Sequence, residues 1–262
     1  MTETLAVARA NLEYELWGAG PPRIVMLHDG LGSIAQWRTT PARLAEGCGV
    51  AVVAYNRAGH GESTPIPGGP WPTRWLHHEA DVLADLLQRL DIVTPFIVGH
   101  SDGGSIALLH ALKAAGPSGV VEQPITCSGL VGLAPHSFVE PICVEAIAAM
   151  RANPDRTIQA LAPFHRDPEA TFEAWSGVWV SEEFGRWDIR PRLSTIDVPT
   201  WIVQGDADRY ATEAQLHSTV EAIGDNATGV ALDGFGHLIH HDDVETVVQL
   251  VSEAFTAVES PV

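Results

Sequence analysis

The chain has 262 residues, 45% of them hydrophobic and 18% charged, which suits one well-cored domain and excludes a disordered or fibrous chain. Lys and Arg number 15 against 33 Asp and Glu, a formal net charge of -18 that repels nucleic acid and anionic membranes and leaves a small molecule as the expected partner. Cys48, Cys127 and Cys143 are odd in number and lack ligand spacing, so neither a disulfide framework nor a metal site is expected.

Met1–Ala10 has no basic patch followed by an apolar core, and no segment approaches the roughly 18 uninterrupted apolar residues of a membrane span. A cytoplasmic monomer or homodimer is the expectation. Leu5–Ala8 and Leu12–Trp17 alternate apolar with polar residues before Gly18-Ala19-Gly20-Pro21-Pro22 breaks the run, as antiparallel edge strands would. The pattern then changes. Ile24–Leu27, Val50–Ala54 and Phe96–Val98 are continuously apolar, the mark of strands covered on both faces. Between them, Leu76, Val82, Leu83, Leu86, Leu87 and Leu90 recur at helical spacing across Trp75–Leu90. Further along come an apolar helix over Gly104–Ala115, strands at Leu130–Leu133, Thr200–Val203 and Gly229–Leu232, and a last helix over Val244–Val258 capped by Asp242 or Asp243. Alternation of strand and helix predicts an α/β protein with a mostly parallel, doubly wound sheet. Residues 137–192 interrupt it with helical periodicity and with Trp175, Trp179 and Trp187, so they read as a helical cap inserted into a core made of residues 1–136 and 193–262.

Phe96-Ile97-Val98-Gly99-His100-Ser101-Asp102-Gly103-Gly104 places G-x-S-x-G between an apolar strand and an apolar helix, the context of a nucleophile elbow. Small residues must flank a serine on so tight a turn, and Ser101 then stands at a helix N-terminus that favours developing negative charge. A serine hydroxyl needs a base, and the base an orienting carboxylate, in the chain order serine, acid, histidine. His237, in the Gly-rich loop Asp233-Gly234-Phe235-Gly236-His237 between the last strand and last helix, is the expected base. Trp201–Gly205 leads into Asp206-Ala207-Asp208; Asp208 is the expected acid, and Asp206 is expected to brace the turn. His240-His241-Asp242-Asp243 reads as a helix start and solvated loop, because adjacent residues there point apart. His136 and His165 are candidates to line a pocket. No G-x-G-x-x-G or G-x-x-x-x-G-K run is present, and no cofactor is implied.

Leu27-His28-Asp29-Gly30-Leu31-Gly32-Ser33, Tyr55–Ser63, the Ser101 elbow, Gly205–Asp208 and Gly236-His237, in this order, resemble the α/β-hydrolase superfamily in its capped, single-domain branch of esterases, lactonases and carbon–carbon bond hydrolases. The resemblance implies the α/β-hydrolase fold, a Ser-Asp-His triad, and an oxyanion hole made by the backbone N–H groups of Gly30 and Asp102. It also marks two departures. Asp29 stands where glycine is usual and Asp102 where an apolar residue is frequent; each could serve substrate choice or pair with His28 or Arg57. Asp29, His136, Trp175 and Trp179 are the candidate substrate contacts. The expected function is hydrolysis of a small ester or lactone through an acyl-enzyme on Ser101. The alternatives are carbon–carbon hydrolysis of ring-cleavage products, helped by a cap arginine, and a small-molecule receptor retaining the triad.

Overall fold

The structure, a computed structural model, describes residues 2–8, 10–112 and 127–259. The strands are β1 (Thr2–Val7), β2 (Ala10–Trp17), β3 (Pro22–Leu27), β4 (Ala51–Tyr55), β5 (Phe96–His100), β6 (Gly129–Leu133), β7 (Thr200–Gly205) and β8 (Ala227–Leu232). The helices are α1 (Thr40–Cys48), α2 (Trp75–Arg89), α3 (Asp102–Ala111), α4 (Pro141–Ala152), α5 (Asp155–Leu161), α6 (Pro168–Trp179), α7 (Arg190–Leu193), α8 (Glu213–Ile223), α9 (Ile239–Asp242) and α10 (Val244–Glu259). The sheet order is β1-β2-β4-β3-β5-β6-β7-β8, with β1 and β2 antiparallel at one edge and every pair from β4 onward parallel.

The continuous apolar runs have a direct cause. Side chains alternate across a strand, so a strand between two helical layers must be apolar at every position. In β3, Ile24 and Met26 enter the core shared with α1 and α10, while Val25 and Leu27 enter the one shared with α2 and α3. β8 borders the sheet and pairs only with β7, and its residues alternate between half-buried and exposed.

Helices α4 to α7 fill the interval between β6 and β7, and Cys143, Ile147, Trp175, Val178, Trp179 and Leu193 join their packing to the α2 and α3 side of the core. Two expectations are corrected, and one open between two residues is decided. The helix expected from Gly104 begins at Asp102, because the strand-to-helix turn is a single residue wide; the expected end at Ala115 lies outside the described residues. The segment after His237 is not a solvated loop: His240 is buried, its ring 4.6 Å from that of Trp37 and 4.7 Å from that of His100. Asp243, not Asp242, caps α10, accepting the Glu245 N–H at 3.0 Å. Among the described residues no group of three or more His, Cys, Asp or Glu is arranged to hold a metal ion, and no helix is long and apolar enough to cross a membrane.

Candidate active site

The parallel strands all end on one side of the sheet, and the loops leaving β3, β5, β7 and β8 meet there. Ser101 sits at φ 52° and ψ -117°, a strained backbone that costs on the order of 1–3 kcal/mol. Its surroundings impose that strain. The Ser101 N–H donates to Leu133 O at 2.8 Å. A Cβ on Gly99 would stand 2.2 Å from Gly103 O, and one on Gly103 would stand 2.2 Å from Leu27 O, so both flanking positions require glycine.

His237 bridges the other two residues that the sequence singles out. Its Nδ1 lies 2.7 Å from Asp208 Oδ2 and its Nε2 lies 2.8 Å from Ser101 Oγ. A carboxylate only accepts, so Nδ1 carries the proton and Nε2 accepts from the serine hydroxyl. Asp208 is held in turn by Gln204 Nε2 at 2.5 Å and by the Tyr210 N–H at 2.7 Å. Burial alone would raise its carboxyl, but the bond to His237 and the Tyr210 N–H bring it below the usual carboxylate range. Asp206 points elsewhere and accepts the Gly234 N–H at 2.7 Å, bracing the histidine loop; Asp242 does the same through the Gly236 N–H at 2.8 Å.

The loop after β3 is held by its carbonyls. Arg57, 1% exposed, donates Nη1 to His28 O and Nη2 to Asp29 O, each at 2.6 Å. His60 lies with Nε2 3.0 Å from Gly30 O and Nδ1 3.1 Å from Ala58 O, and His165, from the stretch between α5 and α6, donates Nε2 to Leu31 O at 3.0 Å. Four successive carbonyls are thereby committed. A Cβ on Gly30 would stand 2.0 Å from Trp175 Nε1 and 2.4 Å from Asp102 Oδ2, so the indole of α6 and the carboxyl beginning α3 close directly over this glycine.

Neither departure pairs as expected. Asp102 accepts from Trp175 Nε1 at 2.9 Å rather than from His28 or Arg57. Burial pushes its carboxyl up to about 7, Arg57 working against the rise and Asp29 adding to it. Asp29 accepts the Leu31 N–H on Oδ1 at 2.9 Å and directs Oδ2 toward His100 Nδ1 at 3.3 Å; Arg57 takes only its main-chain carbonyl. His136 is buried, its ring 5.1 Å from Trp179 and 6.1 Å from His237. Burial, then the neighbouring His237, lower it to about 4. Trp175 and Trp179 face this assembly from α6, whereas Trp187 stacks on Phe184 at 5.6 Å. His165 accepts the Gly61 N–H through Nδ1 and holds the Leu31 carbonyl through Nε2.

Sequence reasoning offered Arg57 only as a side-chain partner for Asp29 or Asp102 and gave no role to His60 or His100. All three act on main-chain carbonyls far away in the chain, which no local pattern encodes, although Arg57 and His60 lie in a stretch that carries the family resemblance.

Comparison with known proteins agrees with this architecture. A non-heme haloperoxidase of Rhodococcus erythropolis is 27% identical over 264 residues, covering 89% of this chain and 92% of that protein. An N-acyl homoserine lactone degrading enzyme superposes with a TM-score of 0.73 at 22% identity, over 96% of this chain and 99% of its own. The enol-lactonase of Burkholderia xenovorans does so with a TM-score of 0.71 at 22% identity, over 97% of this chain and 100% of its own. At such identity these structural likenesses speak for the fold alone. The model of the alpha/beta hydrolase family matches residues 24–250, most of the chain, and the protein belongs to that family.

Proposed function

We propose that this protein is a serine hydrolase that cleaves a carboxylic ester or lactone of a small, apolar or aromatic molecule through an acyl-enzyme on Ser101. The observation that carries this reading is the unbroken chain Asp208–His237–Ser101, with contacts of 2.7 and 2.8 Å ending at a strained serine on a helix N-terminus. His237 Nε2 takes the hydroxyl proton as Oγ attacks the carbonyl carbon. The backbone N–H of Gly30 and that of Asp102, which has no intrahelical partner in the first turn of α3, receive the oxyanion. His237 then protonates the leaving oxygen. Water, deprotonated by His237, releases the acid and restores the serine.

Residues 137–192 act in this reading as a cap, with Trp175, Trp179 and His136 offering the apolar surface that selects the substrate. Carbon–carbon cleavage is less well served, because an arginine clamp for a substrate carboxylate would have to be free. Arg151, Arg166, Arg186 and Arg190 are each paired with a carboxylate, of Glu173, Glu62, Glu182 and Asp188 respectively, and Arg156 is exposed on α5.

The test is a panel of short-chain and aryl esters, lactones and vinylogous diketones, assayed with wild type and Ser101→Ala. Ser101→Ala is expected to fold normally and lose roughly four to six decades in kcat. Trapping of the acyl group on Ser101 by mass spectrometry completes the assignment. A folded variant within tenfold of wild type would sink it.

A further inference from the structure

His100 is the last residue of β5, fully buried, between the loop that carries Asp29 and the loop that carries His237. Its Nε2 lies 2.8 Å from the main-chain carbonyl oxygen of His237. A carbonyl only accepts, so Nε2 bears a proton. Its Nδ1 lies 3.3 Å from Asp29 Oδ2, an ion-pair distance without the direction of a good hydrogen bond. A neutral ring protonated on Nε2 would turn the Nδ1 lone pair against that carboxylate. Either Nδ1 also carries a proton, or Asp29 does.

The neighbours decide which. Asp29 Oδ1 accepts the Leu31 N–H at 2.9 Å, a bond that favours the ionised acid. Burial would raise the Asp29 carboxyl, but the facing His100 ring outweighs it and holds the group well below the usual carboxylate range. His28 and His240 also face Asp29 and lower its carboxyl further, while burial pushes both of these imidazoles well below the ordinary histidine value. On the remaining sides stand His237, its ring 5.2 Å from His100 and already engaged by Asp208, and Asp102, bound by Trp175. Arg57 is engaged by the carbonyls of His28 and Asp29.

We propose that Asp29 and His100 form a buried carboxylate–imidazolium pair that joins the loop after β3 to the histidine loop, so that Gly30 and His237 are aligned as one unit. The inference rests on the hydrolase reading for its consequence in catalysis, but not for the pair itself. The connection runs from the Leu31 N–H through the Asp29 carboxylate and the His100 ring to the His237 carbonyl. It spans the two halves of the chemistry, the donor that receives the oxyanion and the base that moves the proton. Asp29 and His100 are thus positioning residues, and the carboxylate at position 29 supplies the charge that His100 needs.

The charge is read directly by 15N NMR of the His100 ring in wild type at pH 7. Both nitrogens are expected to be protonated, and in Asp29→Asn the ring is expected to become neutral with the Nε2 proton retained. In kinetics, Asp29→Asn should lower kcat roughly 10- to 100-fold with KM changed less than about twofold, the pattern of a misplaced base rather than of lost binding. His100→Gln keeps a donor for the His237 carbonyl and should retain more kcat than His100→Phe. A wild-type His100 with one protonated nitrogen at pH 7 overturns the pair whether or not any variant folds. Unchanged kcat in Asp29→Asn overturns its role. Should Ser101→Ala stay active, the hydrolase reading fails while the NMR result still decides the pair.

Discussion

Two carboxylates follow β7 within three positions, and only their partners tell them apart. Asp208 faces His237, Gln204 and the Tyr210 N–H, whereas Asp206 accepts a single backbone N–H from Gly234. Asp208→Asn should therefore cost several decades in kcat, because an amide at this position can present a donor to Nδ1 and favour the wrong tautomer. Asp206→Asn loosens one loop contact and should cost less than about tenfold. Steady-state rates of both variants at one pH check the order, and an equal or inverted ranking would move the acid to Asp206. Ser101, Asp208 and His237 were legible as candidates because each lies in a short punctuated segment following an apolar strand. Asp29 stood out only as a departure and a candidate substrate contact, and His100 not at all, since their pairing depends on a contact between residues 71 positions apart. A histidine inside G-x-S-x-G reads as filler until its two nitrogens have been assigned partners.

At the scale of elements, the contact between the start of α3 and α6 couples the fold to pH. Asp102 is 1% exposed and its carboxyl is raised by burial from 3.8 to about 7. Between those two values the folded state holds a proton that the unfolded state has released, so this group's contribution to stability declines as pH rises through the interval. Asp102→Asn removes that dependence while leaving an oxygen for the Trp175 N–H. The variant is expected to gain stability relative to wild type between pH 5 and pH 8, by a few kcal/mol at most. Urea midpoints at the two pH values measure it; a constant difference would mean that Asp102 is ionised throughout. The elements themselves were largely readable, because burial on two faces writes uninterrupted apolar runs into β3 to β6. Helices α1 and α8 escaped notice. Their buried aliphatic positions are few, Leu44 and Ala45 in one and Leu216 and Ile223 in the other, and a short helix that covers only part of the sheet needs no more.

For the whole molecule, 33 acidic residues against 15 basic ones leave the surface repelling itself. Surface pairs such as Arg23–Glu259 and Arg166–Glu62 offset this weakly, each worth about 0–1 kcal/mol when exposed. Repulsion outweighs them, so Tm at pH 8 should rise by a few degrees as NaCl shortens the screening length from about 30 to about 8 Å. Near the sequence pI of about 4.9 the gain should vanish or reverse. Calorimetric scans at both pH values distinguish this from a general salt effect, which would be alike at the two. The charge balance was fully legible in the sequence, but the tie between the helices that follow β6 and the loops beside the serine was not. His165 reaches from the stretch between α5 and α6 to Leu31 O and to the Gly61 N–H, holding two loops at once. The segment between β6 and β7 is therefore no exchangeable cassette: a chimera that grafts another protein's helices there would also remove a strut of the loop after β3, and must bring a donor of its own for the Leu31 carbonyl.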